Sequence, residues 1–111
     1  MADLGTSGQL DLLLLAVLGS GPAHGYALIE RLRARSGGVL DVPEGSVYPA
    51  LYRLEREGAI ESRSAVVGGR RRRIYQLTGT GQRMLDRRVN AWRTLVTAVD
   101  RVVDGGTRAA H

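Results

Sequence analysis

Ile60-Glu61-Ser62-Arg63-Ser64-Ala65-Val66-Val67-Gly68-Gly69-Arg70-Arg71-Arg72-Arg73-Ile74-Tyr75-Gln76-Leu77 decides the fold, because its apolar period is two and a turn interrupts it. Ile60, Ser62, Ser64 and Val66 fall on one side of a strand, with Glu61, Arg63 and Ala65 on the other. Gly68-Gly69 is a strong hairpin signal, and Arg73-Ile74-Tyr75-Gln76-Leu77 returns as the second strand. Four consecutive cations, Arg70, Arg71, Arg72 and Arg73, stand at and just after the turn. Successive side chains alternate across a strand, so Arg71 and Arg73 project opposite to Arg70 and Arg72. Strand pairing gives no reason to gather four like charges there. A bound polyanion does, the alternative being a solvated run of charge.

The distribution of charge agrees. The chain has 111 residues and a net charge of +5, and its sixteen basic residues are all arginine. Six of them (Arg63, Arg70, Arg71, Arg72, Arg73 and Arg83) lie between Ser62 and Leu85, where no acid occurs, while the other ten face all eleven acids. The positive charge therefore belongs to one segment, the footprint of a polyanion binder. Lysine-free composition fits a GC-rich genome, but it also makes every cation a planar fork suited to phosphate or guanine.

Upstream of the hairpin the period is helical. Gln9 to Leu18 reads as a buried helix stopped by Gly19-Ser20-Gly21-Pro22. A second helix is expected from about His24 to Ser36, burying Ala27, Leu28 and Leu32 and ending at Gly37-Gly38. A third, over Glu44 to Glu57, buries Val47, Ala50, Leu51 and Leu54. Ser46 as its N-cap would put Pro49 in the first turn, whereas a start nearer Glu44 would demand a local distortion. Either way Ser46, Tyr48, Pro49, Tyr52, Arg53 and Arg56 are left off the core face. They are hydrogen-bonding groups suited to base edges and phosphates, or else an ordinary solvated face.

Downstream, Thr78 is expected to cap a long helix to about Val103. Leu85, Val89, Trp92, Val96, Val99 and Val103 form an unbroken heptad seam along it. A helix over 78–103 would be about 39 Å long, roughly the breadth of a domain this size. Part of it should project and bury its seam on a second copy, the alternative being packing within its own domain. Trp92 is then a packing anchor or the wall of a pocket that stacks flat apolar ligands.

The expected fold is mainly α with a two-stranded antiparallel hairpin, a winged helix-turn-helix followed by a long dimerisation helix. Its parts are a flexible arm over 1–8, a DNA-binding unit over 9–77, the dimerisation helix over 78–103 and a flexible tail over 104–111. No metal-ligand cluster, catalytic triad spacing or phosphate-binding loop occurs, so neither an enzyme nor a cofactor is expected. The absence of cysteine excludes disulfides. The start lacks a basic segment before an apolar core, and the longest apolar run, 12–18, is too short to cross a bilayer. A cytoplasmic location with no membrane partner is expected.

Gly45-Ser46-Val47-Tyr48-Pro49-Ala50-Leu51-Tyr52-Arg53-Leu54-Glu55-Arg56-Glu57-Gly58 resembles the recognition-helix signature of PadR-type transcriptional regulators. So do His24-Gly25-Tyr26, Gly69-Arg70-Arg71-Arg72 in the wing and Tyr75-Gln76-Leu77-Thr78-Gly79-Thr80-Gly81. The resemblance covers residues 10–103 and is similar to the small subgroup with one C-terminal helix, which dimerises through that helix and the first. It implies a bacterial homodimeric repressor on a pseudo-palindromic operator of double-stranded DNA. It places Ser46, Tyr48, Pro49, Tyr52 and Arg53 at the DNA, Tyr26 near phosphate, and Gly69, Arg70, Arg71 and Arg72 in the wing. It also implies a candidate pocket for a planar apolar small-molecule effector at Trp92, Val89, Leu14 and Leu18. Two rivals remain: nucleic-acid binding without sequence preference by the hairpin alone, and a coiled-coil module that controls a protein partner.

Overall fold

The apolar run at 12–18 becomes the centre of the molecule. It belongs to α1 (Ser7–Leu18) in a computed structural model that describes residues 7–109. Beyond α1 the order is β1 (Ala23–His24), α2 (Gly25–Arg35), α3 (Glu44–Arg56), β2 (Ile60–Val67), β3 (Arg70–Leu77) and α4 (Gly79–Ala109). Leu14, Leu15 and Leu18 of α1 meet Leu28 and Leu32 of α2, the Val47, Ala50, Leu51 and Leu54 stripe of α3, and Ile60, Tyr75 and Leu85. Each such buried aliphatic side chain contributes roughly 1.5–3 kcal/mol. This is the winged helix-turn-helix, mainly helical with a hairpin.

The turns follow from glycine at the positions that need it. Gly68 and Gly69 have φ of 58° and 77°, the conformation of a type I′ turn. β2 and β3 pair antiparallel across it from Val67–Arg70 to Ile60–Leu77. The end of α2 is a Schellman motif: Gly38 N donates to Arg33 O at 2.8 Å and Gly37 N to Ala34 O at 3.2 Å.

Two features differ from the expected outline, and the open alternative for the start of the third helix is decided. The hairpin gains a third strand, because Ala23 and His24 pair with Tyr75 and Ile74 of β3. The helix α3 starts at Glu44 behind an N-cap Pro43 that makes no side-chain cap bond. Pro49 therefore lies inside the helix and leaves the Gly45 carbonyl without its usual i+4 donor. The helix α4 continues past Val103 to Ala109. Gly105 and Gly106 cost about 1 kcal/mol each in a helix, but elongation still adds one bond per residue once the helix exists. The expected arm begins to be described at Ser7, already helical; 1–6 and 110–111 lie outside the described residues.

Thr78 caps α4 as expected, its Oγ1 accepting from Gly81 N at 3.0 Å and donating to Gly58 O at 2.6 Å. That join leaves no room at Gly81, where an added Cβ would lie 1.9 Å from the Ala59 carbonyl oxygen. Alanine gains about 1 kcal/mol of helix propensity over glycine, yet here it must displace backbone. Gly81→Ala is expected to lose roughly 1–3 kcal/mol in urea unfolding. Stability at or above wild type would mean that α4 can lift off the turn freely.

Candidate nucleic-acid interface

Helix α3 turns Val47, Ala50, Leu51 and Leu54 inward, which leaves Ser46, Tyr48, Pro49, Tyr52 and Arg56 exposed on the other side. Tyr52 is 66% exposed, and the Arg56 guanidinium lies over its ring at 5.7 Å, a cation–π contact that orders both. Tyr48 lies against the start of α2. A Cβ at Gly25 would come within 2.7 Å of its ring and hydroxyl, so glycine there is what lets the tyrosine settle.

The wing stands beside this face. Arg71 and Arg73 share the sheet face of Tyr75, and their guanidiniums donate to Ser64 Oγ at 3.1 Å and Ser62 Oγ at 3.0 Å. Ser62 in turn donates to Glu55 of α3 at 2.5 Å, joining wing to helix. Arg70 and Arg72 project from the opposite face, as alternation requires. Among the described residues no carboxylate pairs with Arg70, Arg71, Arg72 or Arg73. Gly69 holds the turn beneath them.

On that opposite face, His24 caps α2, accepting from Ala27 N at 3.1 Å, and its ring stacks on Tyr26 at 6.5 Å. Burial, then the charges of Arg72 and Arg31, hold its pKa below the ordinary histidine value. The cap needs that neutral ring, since protonated Nδ1 cannot accept. Tyr26 itself is half exposed at the helix start.

Arg53 corrects the expectation that it faces outward with its neighbours. Its Nη1 and Nη2 donate to Asp11 Oδ2 and Oδ1 at 2.7 and 2.8 Å, a bidentate pair. The long side chain folds back along the helix to α1, so its fork is not free for guanine. Hydrogen bonding to Asp11 raises its pKa above the ordinary arginine value. Asp11 is 2% exposed and also meets Arg88 of α4, whose Nη2 lies 3.6 Å from Oδ2. Asp11, Arg88, Glu55, Ser62 and His24 are the contributors that sequence reasoning missed; the lone acid inside the apolar α1 stripe was the available signal.

Along α4 the heptad seam divides. Leu85 is a core residue under Gly19 and Val89 packs partly on the core, so Leu85 is not available to a second copy. From Asn90 to Gly105 every residue is exposed, including Trp92, Leu95, Val96, Val99, Val102 and Val103. The molecule is 61 Å long and 28 Å wide, because this half of the helix projects. The expected pocket also changes its lining. Leu14 and Leu18 face the core on the far side of α1, and Val89 packs against that core. A cleft of about 180 Å³ at Trp92 is lined instead by Gln9 and Leu12 of α1 and by Arg88, Ala91 and Leu95 of α4.

Residues 14–87 match the family described as the Transcriptional regulator PadR-like family. A transcriptional regulator of Mycobacterium tuberculosis is 43% identical over 67 residues, covering 59% of this chain and 60% of its own. Among solved structures, a protein of Streptococcus mutans is similar with a TM-score of 0.84 at 25% identity, covering 95% of each chain. A PadR family transcriptional regulator of Eggerthella lenta has a TM-score of 0.75 at 30% identity, covering 86% of this chain and 82% of its own. No helix among the described residues is long and apolar enough to cross a membrane.

Proposed function

The chain belongs to the PadR-like family of transcriptional regulators, and from that premise we propose that it is a homodimeric repressor of a pseudo-palindromic operator. The observation that carries this reading is the exposed Ser46–Tyr48–Tyr52 face of α3, flanked by a wing whose four arginines pair with no carboxylate among the described residues. The helix reads the major groove through Ser46, Tyr48, Pro49 and Tyr52, and the wing and Tyr26 hold the phosphate backbone. Arg53 acts from behind, fixing α3 to α1 through Asp11. The organisation is a DNA-binding unit up to residue 77 and a dimerisation helix after it, working in the cytoplasm.

Dimerisation uses Trp92, Val96, Val99 and Val103, continued from the partly buried Val89. A helix whose apolar residues at heptad spacing are left exposed by the described part of its own domain fits a second copy best. Recognition helices of such a dimer enter the groove about 34 Å apart. An effector between the protomers relieves repression by changing their relative orientation, which upsets this spacing.

The test is a titration of the full chain against its own upstream region and against scrambled duplex of equal length. At about 150 mM salt the upstream duplex is expected to bind about a thousandfold more tightly, within the usual range for specific over non-specific sites. Equal affinities would defeat this reading and leave a sequence-blind binder.

A further inference from the structure

We infer that Glu55 is a positioning residue for operator selectivity: through Ser62 it holds the wing at one angle to α3, so that groove and backbone contacts are made in a single register. The inference rests on the regulator reading above and names the part of the chain that links its two DNA contacts.

Glu55 stands where a carboxylate works against binding a polyanion. It lies on α3 beside the arginine-rich wing, and its charge repels a phosphate backbone. It is half-buried and pairs with no cation among the described residues. The Ser62 hydroxyl donates to it at 2.5 Å, within the range of a bond to an ionised oxygen. A hydroxyl has one proton to give. With that proton on Glu55, Ser62 can only accept, and it accepts from Arg73 Nη1 at 3.0 Å. The chain from Arg73 through Ser62 to Glu55 therefore runs one way, across β3, β2 and α3, from a cation to an anion. Bonds ordered in this way polarise one another.

The same groups surround Tyr75. Burial first, then the Glu55 carboxylate, holds its pKa above the ordinary tyrosine value, while Arg73 lowers it and Tyr48 raises it. Tyr48 is assigned above to the groove, so the link reaches the base of the wing beside a reading side chain. Beyond Ser62 the hairpin runs out to Gly68-Gly69 with its paired residues mostly exposed. From Ser62 to Val67 the arm is about 17 Å long at ~3.4 Å per residue. A tilt of about 10° at its base moves the tip by about 3 Å, the length of a hydrogen bond. A scrambled duplex needs no fixed angle, because the wing can sit on phosphates while α3 stays out of register. An operator needs both surfaces seated together.

The test titrates the full chain with upstream and scrambled duplex at about 150 mM salt and reads the ratio of the two affinities. Glu55→Ala is expected to lower that ratio about tenfold, the scale of a hydrogen bond to a charged group. Scrambled duplex should bind no more weakly, since a repelling charge has gone. Glu55→Gln keeps an acceptor for Ser62 and should hold the ratio, tightening both duplexes alike. Ser62→Ala should lower the ratio as far as Glu55→Ala, and Ser62→Thr, which restores the hydroxyl, should recover it. Ser64→Ala frees Arg71 without touching the link, so it should weaken both duplexes by one factor. Partial unfolding lowers both affinities equally, so the ratio separates positioning from support of the fold. A ratio unchanged by Glu55→Ala or Ser62→Ala, or lowered as far by Glu55→Gln or Ser64→Ala, would overturn the inference. Failure of the regulator reading looks different: the unaltered chain binds upstream and scrambled duplex alike.

Discussion

Replacing Arg70, Arg71, Arg72 and Arg73 together with alanine is expected to weaken binding to operator and scrambled duplex alike, on the order of a thousandfold at 0.15 M salt. Each phosphate contact releases counterions and adds about 0.9 to the slope of log K against log salt. Four lost contacts flatten that slope by about 3.6, which amounts to three decades at this salt. Because phosphates carry no sequence, the ratio between operator and scrambled duplex should stay nearly constant. Folding stability should change far less than binding, by about 1 kcal/mol, since Arg70, Arg71 and Arg73 are exposed, Arg71 and Arg73 lose only surface bonds to serine, and none of the four pairs with a carboxylate among the described residues. Titrations over a salt series check all three statements. An unchanged slope would sink the assignment of the wing to the backbone and favour a module that meets a protein partner.

Asp11→Ala is expected to have the largest effect on stability. The substitution leaves the Arg53 and Arg88 guanidiniums facing each other where a carboxylate held them. Breaking a buried pair costs about 3–5 kcal/mol. Both arginines keep about a third of their exposure, 31% and 34%, so solvent screening reduces this to roughly 2–4 kcal/mol. A domain of this size has only about 5–15 kcal/mol to lose. Arg53→Ala should cost nearly as much, because it strands a carboxylate that is 2% exposed with one partner at 3.6 Å. Urea unfolding measures both. A loss below about 1 kcal/mol for Asp11→Ala would show that the cluster does not hold α3 and α4 to α1.

The hairpin was legible because period two and a Gly-Gly turn are local signals. The α3 stripe was legible because Val47, Ala50, Leu51 and Leu54 repeat at helical spacing. The strand at Ala23–His24 was not, since two residues show no period and its partner lies far along the chain at Tyr75. Arg53 shows a different limit. Periodicity says which residues leave the core stripe, but a long side chain can fold back to an acid 42 positions earlier. The α4 seam misled at Leu85 for a related reason. An unbroken apolar stripe records that burial occurs, without saying where the covering surface changes from the chain's own α1 to another molecule. Leu14 and Leu18 meet the same limit: the resemblance points to them, and only the packing shows that they face the core.

The serine bonds to Arg71 and Arg73 bear on the thermodynamics of the proposed complex. An arginine free in water surrenders about 2 kcal/mol of rotamer freedom when it is fixed. Ser62 and Ser64 have already restricted these two, so a phosphate meets side chains whose disorder was largely given up on folding. Part of the entropic cost of association is thereby moved from the encounter to the fold. With either serine replaced by alanine, the wing keeps its charge and its reach, but must order itself anew each time it docks.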